Sequence, residues 1–236
     1  MTAACLHQPN FVPWVKLMAK IVHSDVYVVY DSVQFTRTEF HNRQRLRARH
    51  GDVLLSVPVR GARRREPLCA VRLADETDWR GYHLRIIEQE YRRSPHFAEV
   101  FDLISAVYAN RHGMLVDHNL DLLGALLRYL AVEVRVVRAT TLAHTGDNTD
   151  RLIQLTRAVG ADEHVTSTWG TDRRYIDWDR VRAAGIAVRT QQFTHPVYRQ
   201  AFEPFVPDLG VLDLLFARGR RSVDDIRSSS TFPRVG

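Results

Sequence analysis

The opening of the chain alternates between strand-like and helix-like patterns, and this alternation restricts it to a small set of folds. Residues 3–6 form a short apolar run that ends at a polar turn. Residues 11–22 place apolar side chains at three- and four-residue steps, which predicts a helix. Residues 25–30 contain Val-Tyr-Val-Val-Tyr, a run suited to a strand buried on both faces. A strand, a helix and a second strand predict a right-handed βαβ unit with parallel strands.

The rest of the sequence continues this pattern around a helical middle segment. Residues 52–59 and 70–73 predict two strands that form a hairpin at the sheet margin, with an arginine-rich loop between them. Helical spacing then extends over residues 79–92, 95–109 and 114–130. Predicted strands at 132–137, 164–167 and 186–193 follow, with helices at 150–159, 177–184 and 209–216. We expect one α/β domain over residues 1–236, with a mostly parallel sheet and helices on both faces.

Composition excludes several classes of protein. No apolar run approaches the roughly 20 residues of a membrane span, and the N-terminus lacks a signal-peptide pattern, so we expect a cytoplasmic protein without a membrane partner. Two cysteines are too few for a disulfide framework. The net charge of +6 comes from arginines scattered along the chain, with lysine only at Lys16 and Lys20, so it is weak support for nucleic-acid binding. Anionic substrates remain compatible with this charge.

The polar turn after the first predicted strand is a candidate site. In open α/β sheets, ligands bind beyond the carboxyl ends of the strands. His7, Gln8 and Asn10 follow the first strand and precede a helix, and a histidine can transfer protons near neutral pH. The alternative is structural, with Asn10 capping the helix and His7 making one hydrogen bond.

A second polar segment follows the second predicted strand. Asp31 stands directly after the strand, where its carboxylate could orient a histidine or bind a hydroxyl or ammonium group. Gln34 and Asn42 follow, and Arg43 could hold a carboxylate or a phosphate through two parallel hydrogen bonds. A buried ion pair between Asp31 and Arg43 that only fixes the loop explains these residues nearly as well.

A third polar segment follows the predicted strand at 164–167. Ser167 and Gly170 lie there, followed by Tyr175, and a glycine permits close approach of the backbone to a ligand. Ser167 lies in no Gly-x-Ser-x-Gly motif. The histidines lack metal-binding spacings, and neither of the familiar glycine-rich nucleotide loops is present. We therefore expect no metal and no cofactor.

Several spaced blocks of the sequence, in this order, resemble the WbqC-like protein family. The resemblance covers nearly the whole chain and lies in residues 7–14, 24–28, 31–35, 42–43, 57–59, 91–97, 160–161, 167–170, 175–176, 185–186, 198–200, 205–207 and 212–216. Ser32 departs from the family pattern, in which a second aspartate commonly follows Asp31. This departure weakens any mechanism that needs two adjacent carboxylates.

The resemblance implies a biosynthetic role. WbqC-like proteins are associated with O-antigen and other surface-glycan pathways and with natural-product clusters such as those for antibiotics, beside acyl carrier proteins and aminosugar enzymes. The resemblance therefore implies a transferase that moves an acyl or aminoacyl group from a carrier protein onto an amine or aminosugar. We expect His7 as the general base, Asp31 as its orienting group and Asn42 or Gln8 at the oxyanion, with Tyr198 among the substrate-binding residues.

Two other functions remain open from the sequence. A strand, a polar turn and a helix start are also used by nucleotidyltransferases to hold phosphates. The chain would then act on a phosphorylated or nucleotide substrate. The third reading is a non-catalytic carrier-protein or sugar-binding module.

Overall fold

The fold is an α/β sheet with helices on both faces, as the sequence predicts. A computed structural model describes residues 1–61, 65–167 and 175–235. Its strands are β1 Ala3–His7, β2 Val26–Val29, β3 Arg43–Ala48, β4 Gly51–Ser56, β5 Arg135–Arg138, β6 Glu163–Ser167, β7 Ala187–Phe193, β8 Ser230–Thr231 and β9 Arg234–Val235. Its α-helices are α1 Val15–Val22, α2 Trp79–Tyr91, α3 Phe97–Ala109, α4 Leu115–Tyr129, α5 Asn148–Ala158, α6 Trp178–Ala183, α7 Leu212–Arg218 and α8 Ser222–Ser228.

The main sheet is doubly wound and mostly parallel. Its parallel strands lie side by side in the order β5-β2-β1-β6-β7, while β8 and β9 pair antiparallel with β7. When the parallel strands alone are numbered along the chain, this order becomes 3-2-1-4-5. The β1–α1–β2 unit confirms the predicted βαβ opening. β1 is therefore central, and the chain winds outward from it in both directions.

Alternating side chains of β1 and β2 divide the core between the two faces of the sheet. Cys5 and Tyr27 pack in the same cluster as Met18 of α1, whereas Ala4 and Val28 pack with α5 and its flanking residues. Successive side chains of a strand point to opposite faces, so His7 lies on the same face as Cys5, toward α1. None of the described helices is both long and apolar enough to cross a membrane.

The strand β4 pairs with a different segment from the one that the sequence predicts. β4 pairs antiparallel with β3, which lies before it, to form a separate two-stranded sheet. Residues 70–73 form no strand: a 3-10 helix covers Leu68–Ala70, and Leu73 makes only an isolated bridge to Val59. The prediction of a hairpin between residues 52–59 and 70–73 was therefore wrong. The short turn between β3 and β4 brings them together at a lower entropic cost than the longer arginine-rich loop.

A buried carboxylate joins α7 to α2 and to the segment before α7. Asp213 is 1% exposed, and its oxygens accept hydrogen bonds from the Tyr91 hydroxyl, the Tyr198 hydroxyl and the Gln200 amide, each at 2.8 Å. Burial raises the pKa of Asp213, and these donors oppose the increase. The Tyr91 hydroxyl also accepts the backbone N–H of Arg47 in β3. The network therefore joins the hairpin to the helices.

Replacing Asp213 should lower the denaturant concentration at which the chain unfolds, because three donors lose their acceptor inside the core. We expect Asp213→Ala to lower the free energy of unfolding by about 3 kcal/mol or more. Asp102→Ala, at an exposed site on α3, is the matched control and should change it by less than about 0.5 kcal/mol. Urea unfolding followed by circular dichroism measures both, and equal midpoints for the two variants would contradict the structural role.

Several histidines are held neutral by the fold. Burial lowers their pKa values from 6.5 to between about 3 and about 4, and they are His7, His41, His83, His118 and His164. His118 lies among Phe11, Trp79 and Tyr108, and neither of its ring nitrogens has a partner in the described part of the chain. Protonating these rings inside the protein is therefore costly.

The free energy of unfolding should decrease as the pH falls below about 6.5. In that range the unfolded histidines bind protons and the folded ones do not, and each such group contributes up to about 1.4 kcal/mol per pH unit. His118→Leu should reduce this slope by the contribution of one proton, whereas His50→Leu, at an exposed site, should leave it unchanged. Urea midpoints between pH 7.5 and pH 5 test this, and an unaltered slope in His118→Leu rejects it.

Candidate functional site

The chain changes winding direction between β1 and β6, and the candidate site lies there. β1 and β6 are parallel neighbours, but the chain continues from β1 to β2 on one side and from β6 to β7 on the other. His7 is the last residue of β1 and Ser167 the last of β6. Connections that leave two adjacent strands in opposite directions open a crevice at the carboxyl ends, where ligands of such folds bind.

A cavity of about 690 Å³ occupies this crevice, and we call it the switch-point cavity. His7 and Ser167 line it from the sheet, and Lys16 and Lys20 line it from α1. Arg45 of β3 completes its cationic wall. The volume is that of a small-molecule site.

A smaller cavity of about 340 Å³ adjoins the first and shares His7 with it. Trp14 and Phe40 line both cavities, and their rings meet edge to face with centroids 4.3 Å apart. Gln8 and Asn10 line only the smaller one. His7 therefore lines two adjoining cavities.

The hydrogen bonds of His7 fix its tautomer. Its Nδ1 lies 2.9 Å from the carbonyl oxygen of Gln8, so Nδ1 carries the proton and donates. No partner for Nε2 occurs among the described residues, which leaves the lone pair of Nε2 free. Burial, and after it the charge of Lys20, lowers the pKa of His7 to about 3. The imidazole is therefore neutral at pH 7 and can accept a hydrogen bond or a proton.

The side chain of Gln8 is oriented by a short hydrogen-bond relay. The backbone N–H of Thr36 donates to Nδ1 of His41 at 3.3 Å, so His41 carries its proton on Nε2 and donates it to Oε1 of Gln8 at 2.5 Å. Burial lowers the pKa of His41 to about 4, which keeps this ring neutral. The amide nitrogen of Gln8 remains as a donor without a partner in the described ranges.

The turn between β1 and α1 is held in a strained conformation. Val12 has φ +46, a left-handed backbone conformation that is unfavourable for a β-branched residue and costs on the order of 1–3 kcal/mol. Gln44 of β3 donates to the carbonyl oxygen of Val12 at 2.8 Å. A Cβ on Gly210 would lie 2.8 Å from the Val12 side chain and 2.6 Å from that of Gln44. The hairpin and residue 210 together fix this turn.

Asp31 has a different partner from those expected. Its carboxylate is fully buried and accepts hydrogen bonds from Nε of Arg138 at 2.6 Å, the hydroxyl of Thr140 at 2.9 Å and the Thr140 backbone N–H at 3.1 Å. It lines neither cavity around His7. His7 donates to a backbone carbonyl instead of Asp31. The structure therefore gives Asp31 the role of fixing the loop after β2 to the end of β5.

The remaining predicted residues of the second segment are also engaged elsewhere. The Asn42 amide donates to the carbonyl oxygen of Val57 at 2.9 Å, and the Arg43 guanidinium donates to the carbonyl oxygen of Thr38. Gln34 is exposed and forms an isolated backbone bridge. None of these side chains lines either cavity.

The later predicted residues divide into separate places. Ser167 reaches the switch-point cavity, whereas Tyr198 donates to Asp213 and lines a different cavity of about 610 Å³. Tyr175 is 64% exposed. Gly170 lies outside the described residues.

The sequence analysis missed the cationic and aromatic walls of the cavity. Lys16, Lys20 and Arg45 line it, with Trp14 and Phe40 at its border with the smaller cavity. A signal for the lysines was present, because they are the only lysines of the chain and stand four residues apart in a helix. Such residues share one helix face. Within the described ranges, no group of three histidine, cysteine, aspartate or glutamate side chains could hold a metal ion.

Comparison with known proteins identifies relatives over most of the chain. The sequence profile of the WbqC-like protein family matches residues 8–225. The uncharacterized protein Rv1507c of Mycobacterium tuberculosis (strain ATCC 25618 / H37Rv) is 30% identical over 231 residues, which cover 96% of this chain and 98% of the relative. No solved structure shows a significant match. The chain belongs to the WbqC-like protein family.

Proposed function

We propose that this WbqC-like protein is a cytoplasmic biosynthetic transferase that moves an acyl or aminoacyl group from a carrier-bound donor onto an amine. The observation that carries the proposal is the position of His7. Its Nδ1 donates to the Gln8 carbonyl, its Nε2 has no partner among the described residues, and the residue lines two adjoining cavities at the switch point of the sheet. Two spaces beside one neutral base suit a reaction between a donor and an acceptor.

The proton step follows from this geometry. When a neutral amine attacks a thioester or ester carbonyl, its nitrogen becomes positively charged and loses a proton. Nε2 of His7 takes that proton while Nδ1 keeps its hydrogen bond to Gln8. When the tetrahedral intermediate collapses, the C–S or C–O bond to the carrier breaks, and the protonated Nε2 returns its proton to the departing thiolate or alkoxide. Of the two expected oxyanion donors, Gln8 is the better placed, because the Asn42 amide donates to the carbonyl oxygen of Val57 whereas the Gln8 amide nitrogen has no partner among the described residues.

Removal of the base should abolish transfer without unfolding the protein. His7→Asn keeps a donor for the Gln8 carbonyl and should reduce the rate by about 10²- to 10⁴-fold. The assay uses acyl N-acetylcysteamine thioesters with a panel of primary amines and aminosugars, and mass spectrometry measures the acylated amine. His50→Asn, at an exposed site, is the control and should keep the wild-type rate. Equal rates for His7→Asn and the wild type would rule out His7 as the base.

A second candidate is transfer of a nucleotidyl group. The 3-2-1-4-5 strand order and the cationic wall of the switch-point cavity favour a phosphate-bearing ligand. Neither glycine-rich phosphate loop is present, so the phosphates would contact Lys16, Lys20 and Arg45. This arrangement makes the nucleotide reaction a weaker explanation than acyl transfer.

Thermal melting with nucleoside triphosphates and magnesium separates the two functions. If the cavity takes an acyl donor and an amine, triphosphates at millimolar concentration should raise the melting temperature no more than inorganic triphosphate at the same ionic strength. A larger shift with one nucleoside triphosphate than with the others would show recognition of a base, and that result favours the nucleotidyl reaction.

A further inference from the structure

Both lysines of this chain line the same cavity. Among 33 lysine and arginine residues, only Lys16 and Lys20 are lysine, and both line the switch-point cavity. They lie four residues apart on α1, so they share the helix face that meets the crevice. The rest of the chain uses arginine for its cationic positions, including Arg45 in the same cavity. The restriction of lysine to this one cavity indicates that the cavity requires ammonium groups.

Lys20 is buried without a counter-ion. Its residue is 5% exposed, and no carboxylate in the described ranges pairs with its ammonium group. The groups whose pKa values respond to its charge are Cys5, His7 and His164, which are neutral at pH 7. A buried charge without a partner destabilises a folded protein.

The pKa of Lys20 is consistent with a buried ammonium group that has no carboxylate partner. Burial lowers its pKa from 10.5 to about 8, with a further contribution from the charge of Lys16. An ion pair with a carboxylate would act in the opposite direction. A methionine or leucine would fill the same space at lower cost.

We propose that Lys20 is the counter-ion for an anionic group, a carboxylate or a phosphate, of a small molecule bound in the switch-point cavity. Lys16 and Arg45 lie on the same wall and add to its positive potential. Glu39 and Asp208 line the cavity too, and both are exposed. The cavity therefore suits a small anion that enters toward Lys20, not an extended polyanion. This inference concerns the cavity of the proposed transferase, but its test needs no turnover.

The decisive variant is Lys20→Met, which removes the charge and keeps most of the volume. Without added anions, it should melt higher than the wild type by roughly 4 °C, because the unpaired charge is gone. With sodium phosphate or succinate, at constant ionic strength in chloride, calorimetry should show that it binds at least about 30-fold more weakly than the wild type. Arg227→Met makes the same charge change at an exposed site on α8 and should bind like the wild type.

If Lys20 contacts a ligand, Lys20→Met should raise the melting temperature and weaken anion binding. A purely structural role would not give this combination. If Lys20→Met melts lower and binds either anion as well as the wild type does, Lys20 is structural and the proposal fails. It fails too if neither anion binds the wild type more tightly than chloride. Phosphate binding without succinate binding identifies a phosphate site, and the reverse identifies a carboxylate site, so both patterns support the proposal. Absence of anion binding would reject the role of Lys20 but not the role of His7 as the base, which the amine-acylation assay tests separately.

A chemical measurement on the wild type serves if Lys20→Met does not fold. The chain has only two lysines, so acetylation by N-hydroxysuccinimidyl acetate can be followed at each by mass spectrometry. At ten times the Kd of phosphate or succinate, Lys20 should react about tenfold more slowly. The N-terminal amine is the internal control. The proposal would be overturned if the anion protected Lys20 and the N-terminal amine equally, or protected neither of them.

Discussion

The parallel pairing of β1 with both β2 and β6 is the constraint on which the site depends. It places β1 at the centre of the sheet and sends the chain away on both sides, so the carboxyl ends of β1 and β6 cannot be covered by one connection. His7 and Ser167 end these two strands. The same pairing lays α1 over the face that carries Cys5 and His7, and the lysine face of α1 consequently meets the crevice. Strand order, cavity and cation placement thus share one cause.

The sequence predicts the parts of the fold in which local pattern and tertiary contact agree. The βαβ opening and the α4 helix carry strong periodicity and pack as expected. The strand β3 was missed because Arg-Gln-Arg-Leu-Arg-Ala resembles a solvated loop, although Leu46 is fully buried and Arg47 is 1% exposed with hydrogen bonds to three backbone carbonyls. Tertiary partners supply what the local pattern lacks, and the pattern does not reveal them.

The sequence predicts where residues at a strand end lie, but it does not predict hydrogen-bond partners that are distant in sequence. His7 ends β1, Gln8 and Asn10 follow it, and Ser167 ends β6. All four line a cavity at the switch point. Asp31 also follows a strand, but the cation it meets is Arg138, 107 residues later. No local rule could choose Arg138 over Arg43. Position after a strand therefore predicts the edge of the sheet, whereas electrostatic pairing decides whether a side chain stays available there.

The charge of Lys20 affects the basicity of His7. The basicity of His7 is lowered by burial first and then by the charge of Lys20. An anion next to Lys20 neutralises the second of these effects and leaves the first. It therefore raises the pKa of His7 toward the range in which a general base works best. Binding the anionic group of a substrate would then strengthen the base beside it, and the imidazole would stay a poor base whenever the cavity is empty. In the proposed transferase, binding of the anionic group would thus change the basicity of His7 without any movement of the backbone.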